Sequence, residues 1–176
     1  MSGPDEPVET VWQGDWVAVR RQGKWEYATR ARGIRAVVIL AIDADDHVLL
    51  IDQYRVPIAR RCVELPAGLV GDDHADDTGE SAAIRELEEE TGYTAERVEV
   101  LGEFYSSPGL VTEGFTLIRA HGLTRIGEGG GIEGEEDINV HRIPLAEVPA
   151  FVAARRAEGM AVDVKILLLL AETMLG

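Results

Sequence analysis

The segment RELEEETGY, residues 85–93, constrains this chain more than any other part, because it places four glutamates within five positions. A polar loop, GDDHADD (71–77), precedes it and Gly92 lies near its end, so the sequence predicts a helix through residues 81–91 that stops at this glycine. Asp77 and Glu80 have the spacing of a capping box at the start of that helix. Carboxylates packed so closely repel one another. They therefore either lie on a solvated helix face or surround a strongly positive group.

The helical period decides which of these carboxylates lie together. Each residue of an α-helix turns its side chain by about 100°. Glu86 and Glu90, four positions apart, therefore lie nearly above one another, and Glu89 falls within the same arc. Glu88 faces away from them, and Arg85 can pair with Glu89. A solvated charged face is one interpretation. The other is a site for Mg²⁺ or Mn²⁺, since both ions prefer hard oxygen ligands.

The remaining patterns predict an α/β, or α+β, sandwich of mixed strands with one central and two terminal helices. AVVILAI (36–42) and HVLLIDQYR (47–55) indicate an apolar hairpin, and RRCVELPAG indicates a buried strand that ends at Gly68. Strands are also expected within 97–106, 113–123 and 138–145, and helices within 144–159 and 162–175. We expect residues 1–33 to form a separate antiparallel β layer and residues 34–176 to form the main domain.

Charge and composition exclude several classes of partner. The formal net charge of −15 argues against nucleic acid and against an anionic membrane, because both require a positive face. The longest apolar runs are too short to span a bilayer, and MSGPDEPVET lacks the features of a secretory signal. The one cysteine, Cys62, suits a reducing compartment and is expected to be a buried hydrophobe. We therefore expect a cytoplasmic protein. A phosphorylated small molecule can still bind through a divalent cation.

ELPAG (64–68) followed by RELEEETGY resembles the Nudix box, a loop–helix–loop motif. The second half of the motif is matched at Arg85, Glu86, Leu87, Glu89, Glu90, Gly92 and Tyr93. The first half departs from the family pattern, because Asp77 stands at the spaced glutamate position and eight residues, not five, separate it from Gly68. Gly71 would restore the gap of five, but the ELPAG context favours Gly68 and a lengthened loop. The role of Asp77, capping or coordination, stays open.

The Nudix resemblance implies an α/β/α sandwich with a mixed sheet and Mg²⁺-dependent hydrolysis of a nucleoside diphosphate linked to a further group. In this family the metal neutralises pyrophosphate oxygens and lowers the pKa of the attacking water. The resemblance makes Glu86 and Glu90 metal ligands, joined by the backbone carbonyl of Ala67. Glu89 would share a metal ion or act through water, and Arg85 would hold a glutamate in place. Mn²⁺ is the alternative metal.

SSPGLVTEG (106–114) is the second signature. Pro108 follows Gly92 by sixteen residues, as in the Nudix enzymes that act on ADP-ribose. The resemblance makes Ser107, Pro108, Gly109 and Glu113 candidates for substrate binding, although an ordinary Ser-Pro-Gly turn is the alternative.

DQYRVP (52–57) and GKWEY (23–27) also resemble the sugar-nucleotide branch of the family. In that branch the early strands help to form an intertwined dimer, and an aromatic residue there stacks on the base. Trp25 is the candidate for stacking on adenine, with Tyr27 behind it, and structural packing is the alternative. Arg55 is the candidate for a phosphate contact, against a surface ion pair.

IEGEEDINV (132–140) resembles an acidic loop that supplies a catalytic glutamate and another metal ligand in relatives. Glu136 takes the ligand position. The position of the base falls on Gly134, so the choice between Glu133 and Glu135 stays open. The glycine-rich flank, GEGGG (127–131), suggests a mobile loop that closes on substrate, and a disordered acidic linker is the alternative.

These resemblances imply an ADP-ribose pyrophosphatase-like Nudix hydrolase that cuts ADP-ribose into AMP and ribose 5-phosphate. Another sugar nucleotide, such as GDP-mannose or ADP-glucose, is the alternative substrate. A ligand-sensing Nudix module without catalysis is the alternative class, although such a module has no need for an intact set of box glutamates. We also expect an isologous homodimer with residues 1–33 at the interface.

Overall fold

A computed structural model describes residues 6–71, 78–132 and 136–175. The strands are β1 Val8–Gln13, β2 Val17–Gln22, β3 Trp25–Arg30, β4 Arg35–Ala41, β5 His47–Arg55, β6 Arg60–Glu64, β7 Ala67–Val70, β8 Tyr93–Tyr105, β9 Gly114–Arg125, β10 Ile138–Pro144 and β11 Ala161–Val162. The α-helices are α1 Gly79–Thr91, α2 Val148–Ala157 and α3 Leu167–Leu175. Among the described residues, no helix has both the length and the apolar character needed to cross a membrane.

Strands β1, β2 and β3 form an antiparallel sheet of their own, at the position expected for a β layer. This sheet is joined to the rest of the chain through β3. Ala28 exchanges backbone hydrogen bonds with Leu110 and Thr112 at 2.9 and 3.0 Å, and the Thr112 hydroxyl donates to Thr29 at 2.7 Å. The segment after the Ser-Pro-Gly turn is therefore fixed to the N-terminal sheet.

Two mixed sheets make up the centre of the molecule, with strand orders β7-β4-β9-β8 and β10-β5-β6-β11. In the first, β4 runs parallel to β9 and antiparallel to β7. In the second, β5 is antiparallel to both of its neighbours, and the short β11 is parallel to β6. The mixed α/β sandwich predicted from the sequence is confirmed.

The apolar strands β4 and β5, which lie in different sheets, contribute to both halves of the core, because alternate residues of a strand point to opposite faces. One side packs against α1, and its buried residues are Val37, Ile39, Ala41, Leu49, Ala82, Ala83, Leu87, Ile118 and Ala120. The other side packs against α2 and α3, and its buried residues are Val38, Leu40, Val48, Leu50, Val63, Leu65, Leu117, Val148, Val152, Ile166 and Leu170. The helices therefore cover opposite faces of the sheets.

Three local predictions differ from the structure. The predicted hairpin is wrong, because β4 and β5 pair with other strands in different sheets and meet in an isolated bridge between Ile42 and Val48. The strand predicted to continue to Gly68 breaks at Pro66, where the chain leaves the sheet of β6 and pairs with β4 as β7. The capping box of α1 is formed by Thr78 and Ser81, one residue later than predicted. Asp77 lies outside the described residues. The helix itself ends as predicted, with Gly92 in the left-handed conformation at φ 73°.

Candidate active site

Helix α1 brings its glutamates against β7. Glu90 is only 3% exposed, and its Oε2 accepts a hydrogen bond from the Ala67 N–H at 2.9 Å. Arg85 contacts the carboxylates of Glu86 and Glu89 at 2.9 and 3.2 Å, so the predicted pairing of Arg85 with Glu89 is confirmed. The contact from Ala67 uses its amide, whereas the sequence analysis assigned a role to its carbonyl. That carbonyl role stays a prediction.

Gly68 allows Glu86 to reach this position. A Cβ atom on Gly68 would overlap the Glu86 carboxyl group, whereas a Cβ on Gly71 would meet nothing within 4 Å. A residue with any larger side chain at position 68 would therefore displace the glutamate. This close approach supports Gly68, and not Gly71, as the glycine that belongs with the helix.

The carboxylates of α1 are held close together in partly dry surroundings. Burial raises the pKa of Glu90 to about 8, and the charges of Glu86 and Glu136 add to the rise, although Ala67 and Arg55 oppose it. Burial likewise raises the pKa of Glu86 to about 7, with contributions from Glu89 and Glu136. A strongly perturbed pair of this kind in a cleft is a frequent property of functional sites.

These carboxylates line a cavity of about 530 Å³, which is within the usual range for a small-molecule site. The predicted site residues that line it are Arg55, Ala67, Arg85, Glu86, Glu89, Glu90, Glu113 and Glu136. A second cavity of about 290 Å³ shares Arg30, Ala36, Glu113 and Phe115 with the first and extends towards the N-terminal sheet. The glutamates of α1 line only the first cavity, and these four shared residues connect it to the second.

Each cation that lines the first cavity has a carboxylate partner. Arg55 donates Nε and Nη2 to the two oxygens of Glu64 at 2.7 and 2.8 Å, and Glu64 is only 5% exposed. Arg30 donates Nε to Glu113 at 2.7 Å. The Nζ of Lys165 lies 2.7 Å from Asp163. These pairs hold three positive groups at fixed positions on the lining of the same cavity as the glutamates of α1.

Glu136 lies on the same cavity, and its Oε2 accepts a hydrogen bond from the Ile132 N–H at 3.1 Å. The preceding glycine-rich segment is not free, because Gly130 and Gly131 donate backbone hydrogen bonds to the carbonyls of Glu90 and Glu89 at 2.9 and 3.0 Å. The sequence predicts a mobile flank, and in the structure two of its glycines are bonded to the end of α1. Glu133, Gly134 and Glu135 lie outside the described residues.

Other substrate-binding candidates lie away from this space. Trp25 is 55% exposed, and neither it nor Tyr27 is among the residues that line the two cavities, although Thr29 and Arg30 of the same strand are. Ser107, Pro108 and Gly109 form an exposed turn, and the neighbouring Ser106 lines the first cavity instead. In a single chain, therefore, neither the proposed stacking residues nor the Ser-Pro-Gly turn meets the glutamates.

The polar and charged side chains on the first cavity that sequence reasoning did not assign to the site are Arg30, Gln53, Glu64, Ser106 and Lys165. Glu64 belongs to the ELPAG segment. Its position two residues before Pro66, a residue type that can end a strand, is a signal that could have been used. Arg30 pairs with Glu113 across 83 positions, and nothing in the sequence connects two residues so far apart. Such a pair becomes visible only when β3 has been placed beside the segment that precedes β9.

The donor set fits a divalent cation by its chemistry. Glu86, Glu90 and Glu136 supply hard oxygens, and although Glu136 is exposed, its charge adds to the repulsion between the less exposed Glu86 and Glu90. Positive charge relieves this repulsion. Across residues 6–71, 78–132 and 136–175, no three His, Cys, Asp or Glu side chains already have the arrangement of a metal site. The fit therefore rests on the carboxylate chemistry and on the position of the Glu86 carboxyl group over Gly68.

Curated relatives carry the names of several activities. The chain is 34% identical over 124 residues to the methanol dehydrogenase activator of Bacillus methanolicus, a match to 69% of this chain and 64% of the relative. It is 33% identical over 120 residues to the ADP-ribose pyrophosphatase of Bacillus subtilis, over 68% and 63%. The match thus spans less than two thirds of either relative. The GDP-mannose pyrophosphatase of Cronobacter sakazakii is 36% identical over 152 residues, with 82% and 75% covered.

Structure and family agree with these matches. The crystal structure of an ADP compounds hydrolase superimposes with a TM-score of 0.68 and 25% identity, covering 96% of this chain and 91% of that one. Residues 32–161 match the family model described as NUDIX domain. That range contains the whole of α1, Gly68 and Glu136. This chain belongs to the Nudix family.

Proposed function

We propose that this protein hydrolyses the pyrophosphate bond of a nucleoside diphosphate sugar in the presence of Mg²⁺, with ADP-ribose as substrate and AMP and ribose 5-phosphate as products. The observation that carries the proposal is the buried carboxylate cluster of Glu86 and Glu90, which faces a cavity that also contains paired cations. The relatives named ADP-ribose pyrophosphatase support this choice of substrate.

The proposed roles follow from the acidic and the basic residues that line the cavity. Glu86, Glu90 and Glu136 hold the divalent cation, together with a carbonyl such as that of Ala67. When bound, the cation neutralises pyrophosphate oxygens and lowers the pKa of the attacking water. Arg55, which lines the same cavity and is held in place by Glu64, binds phosphate oxygens. Mn²⁺ can replace Mg²⁺, since it accepts the same ligands.

Hydrolysis also requires a proton acceptor for the attacking water. Water adds to one phosphorus atom, the bond from that phosphorus to the bridging oxygen breaks, and the proton passes to a carboxylate. Glu133 and Glu135 are the proposed acceptors, with Glu89 as the alternative in the box. Arg85 holds Glu89 and Glu86 in position through its two ion pairs.

The nucleoside end of the substrate is proposed to extend towards the N-terminal sheet. Glu113 lines both cavities and is held by Arg30, so it can meet the sugar or the base. Trp25 and Tyr27 are proposed to stack on the base, with Ser107, Pro108 and Gly109 shaping the entrance. Since Trp25 does not line either cavity of its own chain, this stacking requires a second copy, and we propose an isologous homodimer in the cytoplasm.

A panel of sugar nucleotides tests the proposal. Purified protein is incubated with ADP-ribose, ADP-glucose or GDP-mannose in Mg²⁺ or Mn²⁺, and the released nucleotide and sugar phosphate are identified by chromatography. We expect the highest kcat/KM for ADP-ribose, with AMP and ribose 5-phosphate formed in equal amounts. Preference for GDP-mannose, the substrate in the name of the Cronobacter relative, would replace ADP-ribose as the substrate. Binding of all three without turnover would favour a sensing module.

A further inference from the structure

Arg61 makes a set of contacts that the proposed reaction does not use. Its Nε donates to the carboxylate of Asp52 and its Nη2 to the Asp52 carbonyl at 2.8 Å. The same guanidinium reaches Asp137, with Nη1 donating to the carboxylate at 2.7 Å and Nη2 to the carbonyl at 3.0 Å. One side chain of β6 therefore connects the buried middle of β5 to the residue just before β10.

Asp52 is a firm anchor for this connection. It is 1% exposed, and it also accepts hydrogen bonds from Asn139 at 3.1 Å and from His141 at 2.5 Å. These two residues lie on β10, which pairs with β5 in register across Asp52. Three side chains from two strands therefore fix one buried carboxylate, and Arg61 transmits that fixed position to Asp137.

The bond to the Asp137 carbonyl matters more than the bond to its carboxylate. The Asp137 side chain is 80% exposed, and an exposed ion pair contributes little. The carbonyl, by contrast, belongs to the main chain directly after Glu136. A guanidinium can bond both carbonyls and both carboxylates at once because its five N–H donors, on three nitrogens, form a planar fork, whereas an ammonium group has three donors on one nitrogen.

Glu136 is held from its other side as well. Its carboxylate approaches Gly131 so closely that a Cβ on Gly131 would overlap it, and it accepts a hydrogen bond from the Ile132 amide. Gly131 is itself bonded to the carbonyl of Glu89 on α1. The main chain is thus attached to α1 before Glu133 and to Arg61 after Glu136.

We propose that Arg61 is a positioning residue for Glu136, which fixes the main chain at Asp137 so that the Glu136 carboxylate faces Glu86 and Glu90 and completes the site for a divalent cation. The inference rests on the proposed function, because Glu136 needs this direction only if the cluster binds a metal ion. Residues that orient metal ligands typically change metal affinity or activity by about 10–100-fold when they are replaced.

The test is direct measurement of Mn²⁺ binding to the full chain by calorimetry and by the electron paramagnetic resonance signal of free Mn²⁺. We expect Arg61→Gln and Arg61→Lys to raise the Kd by about 10–100-fold, because neither keeps the fork. Arg60→Gln is the matched control, since Arg60 lies next to Arg61 on the same strand and its Nε donates to the Ile58 carbonyl at 3.4 Å. It should bind Mn²⁺ as the wild type does.

Activation curves separate positioning from general support of the fold. In Arg61→Gln the Mg²⁺ concentration for half-maximal turnover should rise, while kcat at saturating Mg²⁺ returns close to the wild-type value. If Arg61→Gln does not fold, Arg61→Lys serves alone, because it keeps the positive charge but loses the planar set of donors. Asp137→Ala is a second control, since it removes only the exposed ion pair and keeps the carbonyl bond, and it should bind Mn²⁺ nearly as the wild type does. A wild-type Kd in the folded Arg61 variants would overturn the inference alone. A wild-type protein that binds no Mn²⁺ would overturn the proposed function.

Discussion

A carboxylate as deeply buried as that of Glu90 requires compensation. Of the groups that lower its pKa, the Ala67 amide supplies one hydrogen bond and Arg55 is already engaged by Glu64. Glu86 and Glu136 act in the opposite direction. Neighbouring carboxylates that are buried together raise one another's pKa unless a cation joins them. At the residue scale, the site is therefore built for positive charge that the protein itself does not provide.

The two acidic residues that could act as base can be distinguished by kinetics. If Glu133 or Glu135 is the base, its change to Gln should lower kcat by about 10²–10⁴-fold with little effect on KM, because the base acts on water in the transition state. Added Mg²⁺ should not rescue that variant. Glu136→Gln should weaken metal binding instead and should be partly rescued by Mg²⁺. Near-wild-type kcat in both loop variants would leave Glu89 as the remaining candidate.

Asp52 provides a prediction about pH. Burial alone would raise its pKa, but hydrogen bonds from His141, Arg61 and Asn139 outweigh this and hold the pKa below its ordinary value. The resulting stability is fully present above the pKa of an unfolded aspartate, about 3.9, and is lost as pH falls through the lower pKa of the folded protein.

We therefore expect Asp52→Asn to be less stable than the wild type at pH 7, by about 1–3 kcal/mol. The difference should shrink as pH falls below about 4, where wild-type Asp52 itself becomes protonated. Urea unfolding from pH 7 to pH 3 measures it, with the exposed Asp15→Asn as control. A difference that stays constant over this range would show that Asp52 gains no stability from its charge.

At the scale of elements, the sequence predicted those strands and helices that are marked by hydrophobic periodicity and by glycine or proline at their ends. The apolar strands β4 and β5, the helix from 79 to 91 and its end at Gly92 depend on local patterns. That β4 and β5 pair in different sheets, and not with each other as a hairpin, could not be predicted from those patterns. The break at Pro66 was missed because an apolar strand that changes sheets has the same composition as one that continues. The hydrogen bonds of the glycine-rich flank could not be predicted for a related reason. Their acceptors are the main-chain carbonyls of Glu89 and Glu90, and main-chain groups leave no signal in a sequence.

The site divides in the same way. Glu86, Glu89 and Glu90 could be grouped from helical spacing alone, because their separation fixes their relative direction. Arg55 could be named because the DQYRVP segment resembles the sugar-nucleotide branch of the family. Its bidentate pairing with Glu64 could be recognised only from the register of β5 against β6. Arg61 had no signal, because its role depends on two residues, Asp52 and Asp137, that meet only when β10 joins β5.

The N-terminal sheet carries the prediction about association. Trp12, Trp16 and Trp25 are each more than half exposed. Burial of such large apolar side chains against a partner would be favourable, because it removes their surface from water. We expect an isologous dimer that covers this sheet, and light scattering at micromolar concentration should give twice the mass of the chain. Trp12→Glu should shift the mass towards that of the monomer. A wild-type monomer under these conditions would contradict both the dimer and the proposed stacking by Trp25.

At the scale of the whole molecule, a chain with a net charge of −15 has a cavity that must accept a pyrophosphate. The paired cations Arg30, Arg55 and Lys165 supply part of the attraction, but each already has a carboxylate partner. The long-range field of the protein repels an anionic substrate. A divalent cation bound to the glutamate cluster makes the local potential positive, so the substrate is attracted only when the cation is present. Turnover should therefore depend on the cation concentration more steeply than it would if the cation only contacted the substrate.

The most direct test of this account is the Mg²⁺ dependence of ADP-ribose turnover in the wild type, in Glu90→Gln and in Glu88→Gln. Glu88 is the matched control because it lies on the same helix but does not line the cavity. We expect wild-type turnover to cease in EDTA and to return with Mg²⁺. Glu90→Gln should lose at least about 100-fold in kcat, because replacing a residue that only orients a metal ligand already costs about 10–100-fold. Glu88→Gln should resemble the wild type. Turnover that survives EDTA, or equal rates in the two variants, would contradict the account.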